Sequence, residues 1–183
     1  MASNSPRRKE LLSGLDLQFE VRVLQDIDES YPQELPTQEI AEYISKKKAA
    51  AYVKTMADDE LVITADTVVI LGNEVMGKPK DENDAKRMLG ELSGRTHQVA
   101  TGVTLSTRQR QVSFSVVTDV TFKQLTDDEI GYYVSHYQPY DKAGAYGIQE
   151  WIGYVGVTAL NGSYFNVMGL PVQRIYEALK GFE

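Results

Sequence analysis

Two arginines stand where a helix should begin. Ser5 is a good N-cap and Pro6 is preorganised for the first helical position, so Arg7 and Arg8 fall in the first turn. A helix N-terminus already carries partial positive charge, so each cation there costs roughly 0.3–1 kcal/mol. An anion held between open backbone N–H groups and two guanidinium forks reverses that penalty. Ser5 has no His–Asp partner in view and reads as a cap and phosphate donor, not as a nucleophile.

The acids and further cations lie elsewhere. Asp66 follows Leu61-Val62-Ile63-Thr64-Ala65, a short apolar run expected as a central strand. Asp66-Thr67 is expected at the end of that strand, the place where open α/β sheets bind ligands. A carboxylate there can hold a divalent cation, or orient and deprotonate a water. Glu29, in the acidic loop Asp26-Ile27-Asp28-Glu29, is a second candidate whose plainer role is a solvated turn. Lys78 emerges from the stiff tripeptide Gly77-Lys78-Pro79. Lys48 ends the run Lys46-Lys47-Lys48, which does not itself say which lysine turns inward. Pro139 to Gln149 is a loop rich in specific side chains, and the Gln149 amide, donor and acceptor at once, can read the edge of a base. Within it, Asp141-Lys142 is expected as an ion pair shaping the loop, and His97 as a hydrogen-bonding group at a strand start. The G-x-x-x-x-G-K-[ST] and G-x-G-x-x-G patterns are absent.

These groups need elements to carry them. The first helix should run from Pro6 to Ser13 and stop at Gly14, with Leu11, Leu12 and Leu15 inward. Phe19 to Leu24 alternates and predicts a strand. Pro36-Thr37 opens a helix to about Met56, with Ile40, Ile44 and Ala51 on its buried side. Val68 to Leu71, the turn Gly72-Asn73 and Glu74-Val75-Met76 predict a hairpin. A helix capped at Asp81 should reach about Leu92, and strands are expected near 98–105 and 111–123. Thr126 and Glu129 have capping-box spacing for a helix to about Val134. A last hairpin is expected to turn at Asn161-Gly162. Pro171 then begins a helix with Val172, Ile175, Tyr176 and Leu179 inward, and Trp151 and Tyr154 are expected to pack in the core. Interleaved strands and helices predict an α/β fold with a mixed sheet flanked by helices. The chain is expected as one domain over 1–183, in which about 80–137 can form a lobe with a cleft beside it.

Composition narrows the classes. The chain has 183 residues, 42% of them hydrophobic, enough for one substantial core. It has no cysteine, which excludes disulfides, thiolate metal sites and a cysteine nucleophile. His97 and His136 give no zinc-ligand spacing. No apolar run approaches the roughly 20 residues that span a bilayer, so no membrane role is expected and a cytoplasmic protein is the default. A formal charge of −7 argues against nucleic-acid binding but suits a local basic pocket for a small polyanion with divalent metal.

Taken in order, the motifs carry a resemblance. They are Ala2-Ser3-Asn4-Ser5-Pro6-Arg7-Arg8, Asp28-Glu29, Lys48-Ala49, Ala65-Asp66-Thr67, Gly77-Lys78-Pro79, Ser93-Gly94 with Thr96-His97, Asp141 to Gln149, Asn161-Gly162-Ser163-Tyr164 and Gly169-Leu170-Pro171. Together they resemble the Maf family of nucleoside triphosphate pyrophosphatases, over nearly the whole chain. The resemblance implies a fold akin to the inosine triphosphate pyrophosphatases, a cytoplasmic homodimer, and hydrolysis of a nucleoside triphosphate to monophosphate and pyrophosphate with Mg²⁺ or Mn²⁺. It implies Asp66 as proton acceptor, and the Asp66 and Glu29 carboxylates are expected to hold the metal. Ser5, Arg8, Glu29, Lys48 and Lys78 correspond to family active-site positions. Arg7, Thr67 and Gln149 match the dTTP/UTP branch at the three places that vary, where the 7-methyl-GTP branch has Trp, Gln and Glu. The rival expectations are that second substrate class, and a non-catalytic nucleotide sensor in cell-division control. Family members carry an apolar first strand before this motif, and Met1 stands at its last position.

Overall fold

The computed structural model describes residues 1–182. Among these, five strands form one sheet in the order β2-β1-β3-β4-β5: β1 Val62–Leu71, β2 Glu74–Met76, β3 Thr96–Ser106, β4 Gln111–Phe122 and β5 Val157–Asn161. The α/β class is as expected. The sheet itself is antiparallel and not mixed: tight turns join β1 to β2 and β3 to β4, while helical segments separate β2 from β3 and β4 from β5. On β1 and β3, Thr64 meets Thr104 and Thr67 meets Thr101, a pairing that runs in opposite directions along the two strands.

The chain divides into two compact units. The first comprises Met1–Thr67, Thr101–Val116 and Gly169–Glu183; the second comprises Val68–Ala100 and Val117–Met168.

In the first unit, α1 (Pro6–Ser13) forms as its cap predicts: Ser5 accepts from the Arg8 N–H at 3.4 Å, and Leu11 and Leu12 are buried. The Ala2 N–H donates to the Ile63 carbonyl at 2.9 Å, which sets the segment before α1 alongside β1. Helix α2 (Thr37–Val53) buries Ile40, Ala41, Ile44, Ser45, Ala49 and Tyr52. Its inward row therefore runs through Ala49 and Tyr52, one step round from the expected Ala51. At Gly102 of β3, α2 packs against bare backbone: a Cβ there would lie 2.1 Å from the Glu42 nitrogen.

Three expectations fail here or nearby. Phe19 to Leu24 is not a strand, for it joins no ladder among the described residues. Arg22 N–H donates to the Met1 carbonyl, while the Leu24 N–H goes to the Tyr52 hydroxyl. Helix α7 (Val172–Leu179) follows Pro171 as expected but buries only Ile175, with Tyr176 half exposed. Asp66 and Thr67 do not end a strand, because β1 continues through them to Leu71.

The second unit holds a core in which Leu89, Leu92, Phe122, Tyr133 and Ile152 are buried. Helix α3 (Glu82–Leu92) is capped by Asp81, and α4 (Asp127–Tyr137) by a complete Thr126–Glu129 capping box. A 3-10 turn, Ala143–Ala145, precedes α5 (Trp151–Gly156). Asn161-Gly162 does not turn a hairpin; Ser163 caps the short α6 (Tyr164–Val167) instead. Tyr154, expected in the core, is 82% exposed, whereas Trp151 is half-buried. No helix among the described residues is long and apolar enough to cross a membrane.

Candidate active site

Asp66 and Thr67 are the only residues of β1 that are not buried, a polar window in an otherwise apolar strand. The Lys48 ammonium reaches Asp66 Oδ1 at 2.7 Å and Glu29 Oε1 at 3.0 Å. Lys48 and Asp66 side chains are 14% and 15% exposed, so this is a largely desolvated pair, whereas Glu29 at 56% opens to solvent. Two carboxylates sharing one ammonium keep their charges at close quarters without mutual repulsion deciding the geometry.

The structure selects among the three lysines. Lys46 pairs with Glu42 on its own helix, and Lys47 binds Asp28 and Ser30. Lys48 alone flanks the buried Ser45–Ala49–Tyr52 row and so turns toward β1. Lys47 has its own part: with the Ser30 backbone it holds Asp28 below the usual carboxylate range and fixes the loop that carries Glu29.

Arg8 is held at all three side-chain nitrogens. Its Nε donates to the Gly169 carbonyl (2.8 Å), Nη1 to the Ala65 carbonyl (2.8 Å) and Nη2 to Thr67 Oγ1 (3.0 Å). Burial lowers its basicity from the ordinary value, and the charges of Asp66 and Glu29 oppose that shift. A guanidinium stays charged regardless, so the effect is a desolvated fork in the field of two acids. Ser5 sits at the cap one turn before it, and Arg7 is its half-buried neighbour in the same turn. Thr67 therefore spends its hydroxyl on Arg8 and on Thr101 Oγ1, at 2.9 Å. Sequence reasoning gave no role to Thr101 or Gly169. The signal was present for Gly169, whose φ of +109° explains why Gly169-Leu170-Pro171 needs a glycine there.

Lys78 and Gln149 belong to the second unit. Lys78 is exposed, and the backbone beside it is tied by a Gly144 N–H bond to the Gly77 carbonyl at 3.0 Å. Gln149 has a buried Oε1 with no hydrogen-bond partner among the described residues, an acceptor that a ligand N–H would satisfy. Its loop is framed by Lys142, which binds Asp141 at 2.7 Å and Glu150 at 3.1 Å. Tyr133 donates to the Glu150 carboxylate and accepts from the Gly147 N–H. Burial, reinforced by Glu150, pushes the Tyr133 hydroxyl above its ordinary pKa. His97 shares a 2.7 Å bond with the Tyr146 hydroxyl, and burial pulls the imidazole down to about 4.

Among the described residues, no three His, Asp or Glu side chains gather into a ready-made metal cage. Asp66 and Glu29 nevertheless lie within reach of one another on either side of the Lys48 ammonium, and Mg²⁺ is commonly held by one or two carboxylates with substrate phosphates completing the shell. The donor set fits a divalent cation that arrives with a polyphosphate.

Comparison with known proteins agrees with the motif pattern. The family described as Maf-like protein matches residues 1–182. A protein of Phocaeicola vulgatus named dTTP/UTP pyrophosphatase is 62% identical over 98% of this chain and 93% of its own. One of the same name from Parabacteroides distasonis is 60% identical over 100% and 94%. Another, from Flavobacterium psychrophilum, is 49% identical over 96% and 90%. With a polar window in β1, a lysine shared by two acids and a locked arginine at a helix start, this chain belongs to the Maf family.

Proposed function

We propose that the protein hydrolyses dTTP and UTP, and modified pyrimidine triphosphates, to the nucleoside monophosphate and pyrophosphate. The observation that carries this reading is the Lys48 ammonium shared by Asp66 and Glu29, with the Arg8 fork held by the residues on either side of Asp66, Ala65 and Thr67. The names of the relatives supply the substrate class.

Asp66 orients a water and takes its proton as the oxygen attacks the α-phosphorus in line; the bond to the β-phosphate oxygen breaks and pyrophosphate leaves. Lys48 holds the Asp66 carboxylate in place for that transfer. Arg8, Lys78 and the helix start at Ser5 neutralise charge on the phosphate oxygens and the departing pyrophosphate. Each such donor is worth on the order of 10²–10³ in rate, as single oxyanion donors are. Asp66 and Glu29 would hold Mg²⁺ or Mn²⁺, whose chemistry is to withdraw charge from the phosphates. Gln149 selects the base: its unpaired Oε1 suits the N3–H of thymine or uracil, with Arg7 and Thr67 completing selection. A homodimer in the cytoplasm completes the reading.

A panel of nucleoside triphosphates, assayed as phosphate after added inorganic pyrophosphatase, tests it. dTTP and UTP should be the best substrates, EDTA should abolish release, and Mg²⁺ or Mn²⁺ should restore it. Preference for 7-methyl-GTP would replace the substrate class. Binding without UMP release would leave a nucleotide sensor. Light scattering with size exclusion reads the dimer.

A further inference from the structure

Thr101 is fully buried in β3, a position where valine has the same shape and no desolvation cost. A hydroxyl buried there is expensive unless bonded, by roughly 1–3 kcal/mol. Its Oγ1 lies 2.9 Å from Thr67 Oγ1, and Thr67 Oγ1 lies 3.0 Å from Arg8 Nη2. Arginine has no acceptor, so Thr67 accepts from Nη2, and either hydroxyl can donate in the Thr67–Thr101 bond. In both arrangements the buried Thr101 hydroxyl restricts how Thr67 Oγ1 presents its acceptor to Arg8. The Ala65 and Gly169 carbonyls hold the other two corners of the fork. At Gly169, with φ +109°, a side chain would be strained, so its carbonyl is presented by glycine alone. Three of the five N–H donors of Arg8 are thus spent on the protein, and one on each terminal nitrogen remains for a ligand.

We propose that Thr101 is a positioning residue for the reaction: through the Thr67 hydroxyl it locks the Arg8 guanidinium in the orientation that meets the triphosphate. The proposal rests on the pyrophosphatase reading and explains how a residue that touches no substrate governs one that does. It also makes Thr67 a positioning residue first, whose effect on selectivity passes through Arg8.

The test is Thr101→Val, made in the natural sequence and in an Arg8→Lys background, with Thr101→Ser as the conservative variant. With Arg8 present, Thr101→Val should lower kcat/KM about tenfold and raise the inhibition constant of inorganic pyrophosphate several-fold, and Thr101→Ser should restore both to within about twofold. In the Arg8→Lys background, Thr101→Val should change neither by more than about twofold, because coupled residues are non-additive. Thr121→Val, at an exposed cross-strand hydroxyl pair with Thr96, should leave both constants unchanged. Equal losses in both backgrounds would overturn the proposal. So would lower activity with an unchanged pyrophosphate constant, the mark of a smaller folded fraction. Should Thr101→Val not fold, Thr101→Ala is read in the same two backgrounds. If the unsubstituted protein releases no pyrophosphate from any triphosphate, the parent reading fails. If it does, and Thr101→Val matches it, only the lock fails.

Discussion

Asp66 and Gln149 make opposite demands on their surroundings. Asp66 is satisfied, its Oδ1 held by Lys48, and in the proposed reaction it accepts a proton. Replacing it with Asn keeps shape and removes basicity, so turnover should fall about 10²–10⁴-fold. Triphosphate binding, measured by calorimetry, should persist; full activity in Asp66→Asn would remove it from that role. Gln149 is unsatisfied, its Oε1 buried without a partner. Gln149→Leu should therefore leave thermal stability equal or higher while raising KM for dTTP and UTP about tenfold. Unchanged KM values would take base selection away from this side chain. Both residues stood out in the sequence by type and neighbours. The engagement of Thr67 with Arg8 did not, because it joins positions separated by 59 residues.

The meeting of α2 and β3 sets where Lys48 can reach. Gly102 allows that approach, since a Cβ would lie 2.1 Å from the Glu42 nitrogen and 2.2 Å from the Ala41 carbonyl carbon. Backbone cannot give way as a side chain can, so Gly102→Ala must push α2 off the strand. We expect a loss of about 2–3 kcal/mol in urea denaturation and a drop in kcat as Lys48 draws back from Asp66. Retained stability and rate would mean that α2 slides without cost. Helix starts were the most legible elements: Ser5, Asp81 and Thr126 each cap as their spacing predicts. Capping is decided within four residues, so the sequence holds all of its causes. The C-terminal helix was less legible, as its apolar spacing marks a stripe and not which part of the stripe is covered.

Stability of the molecule against acid should carry the signature of His97. Folded, its imidazole stays neutral down to about 4; unfolded, it takes up a proton near 6.5. Between those values the unfolded chain binds the extra proton, so stability falls as pH drops through that window, by roughly 3 kcal/mol in full. Urea midpoints at pH 7.5 and 4.5 should differ less in His97→Gln than in the natural sequence. An equal difference would assign the acid loss to other groups.

The sequence by itself determined the α/β class, the helix caps, the β1–β2 hairpin and the inventory of acids and cations. These follow from local hydrogen bonding, side-chain period and residue type. Only the tertiary structure decided that Lys48, and not Lys46 or Lys47, meets Asp66, and that Arg8 is locked by Ala65, Thr67 and Gly169. It alone decided that Asp66 lies within a continuous strand, and that Phe19 to Leu24 stays irregular. A strand exists only with a ladder partner, and a charge is placed only by groups that reach it from distant positions. Neither condition is written in the neighbouring residues.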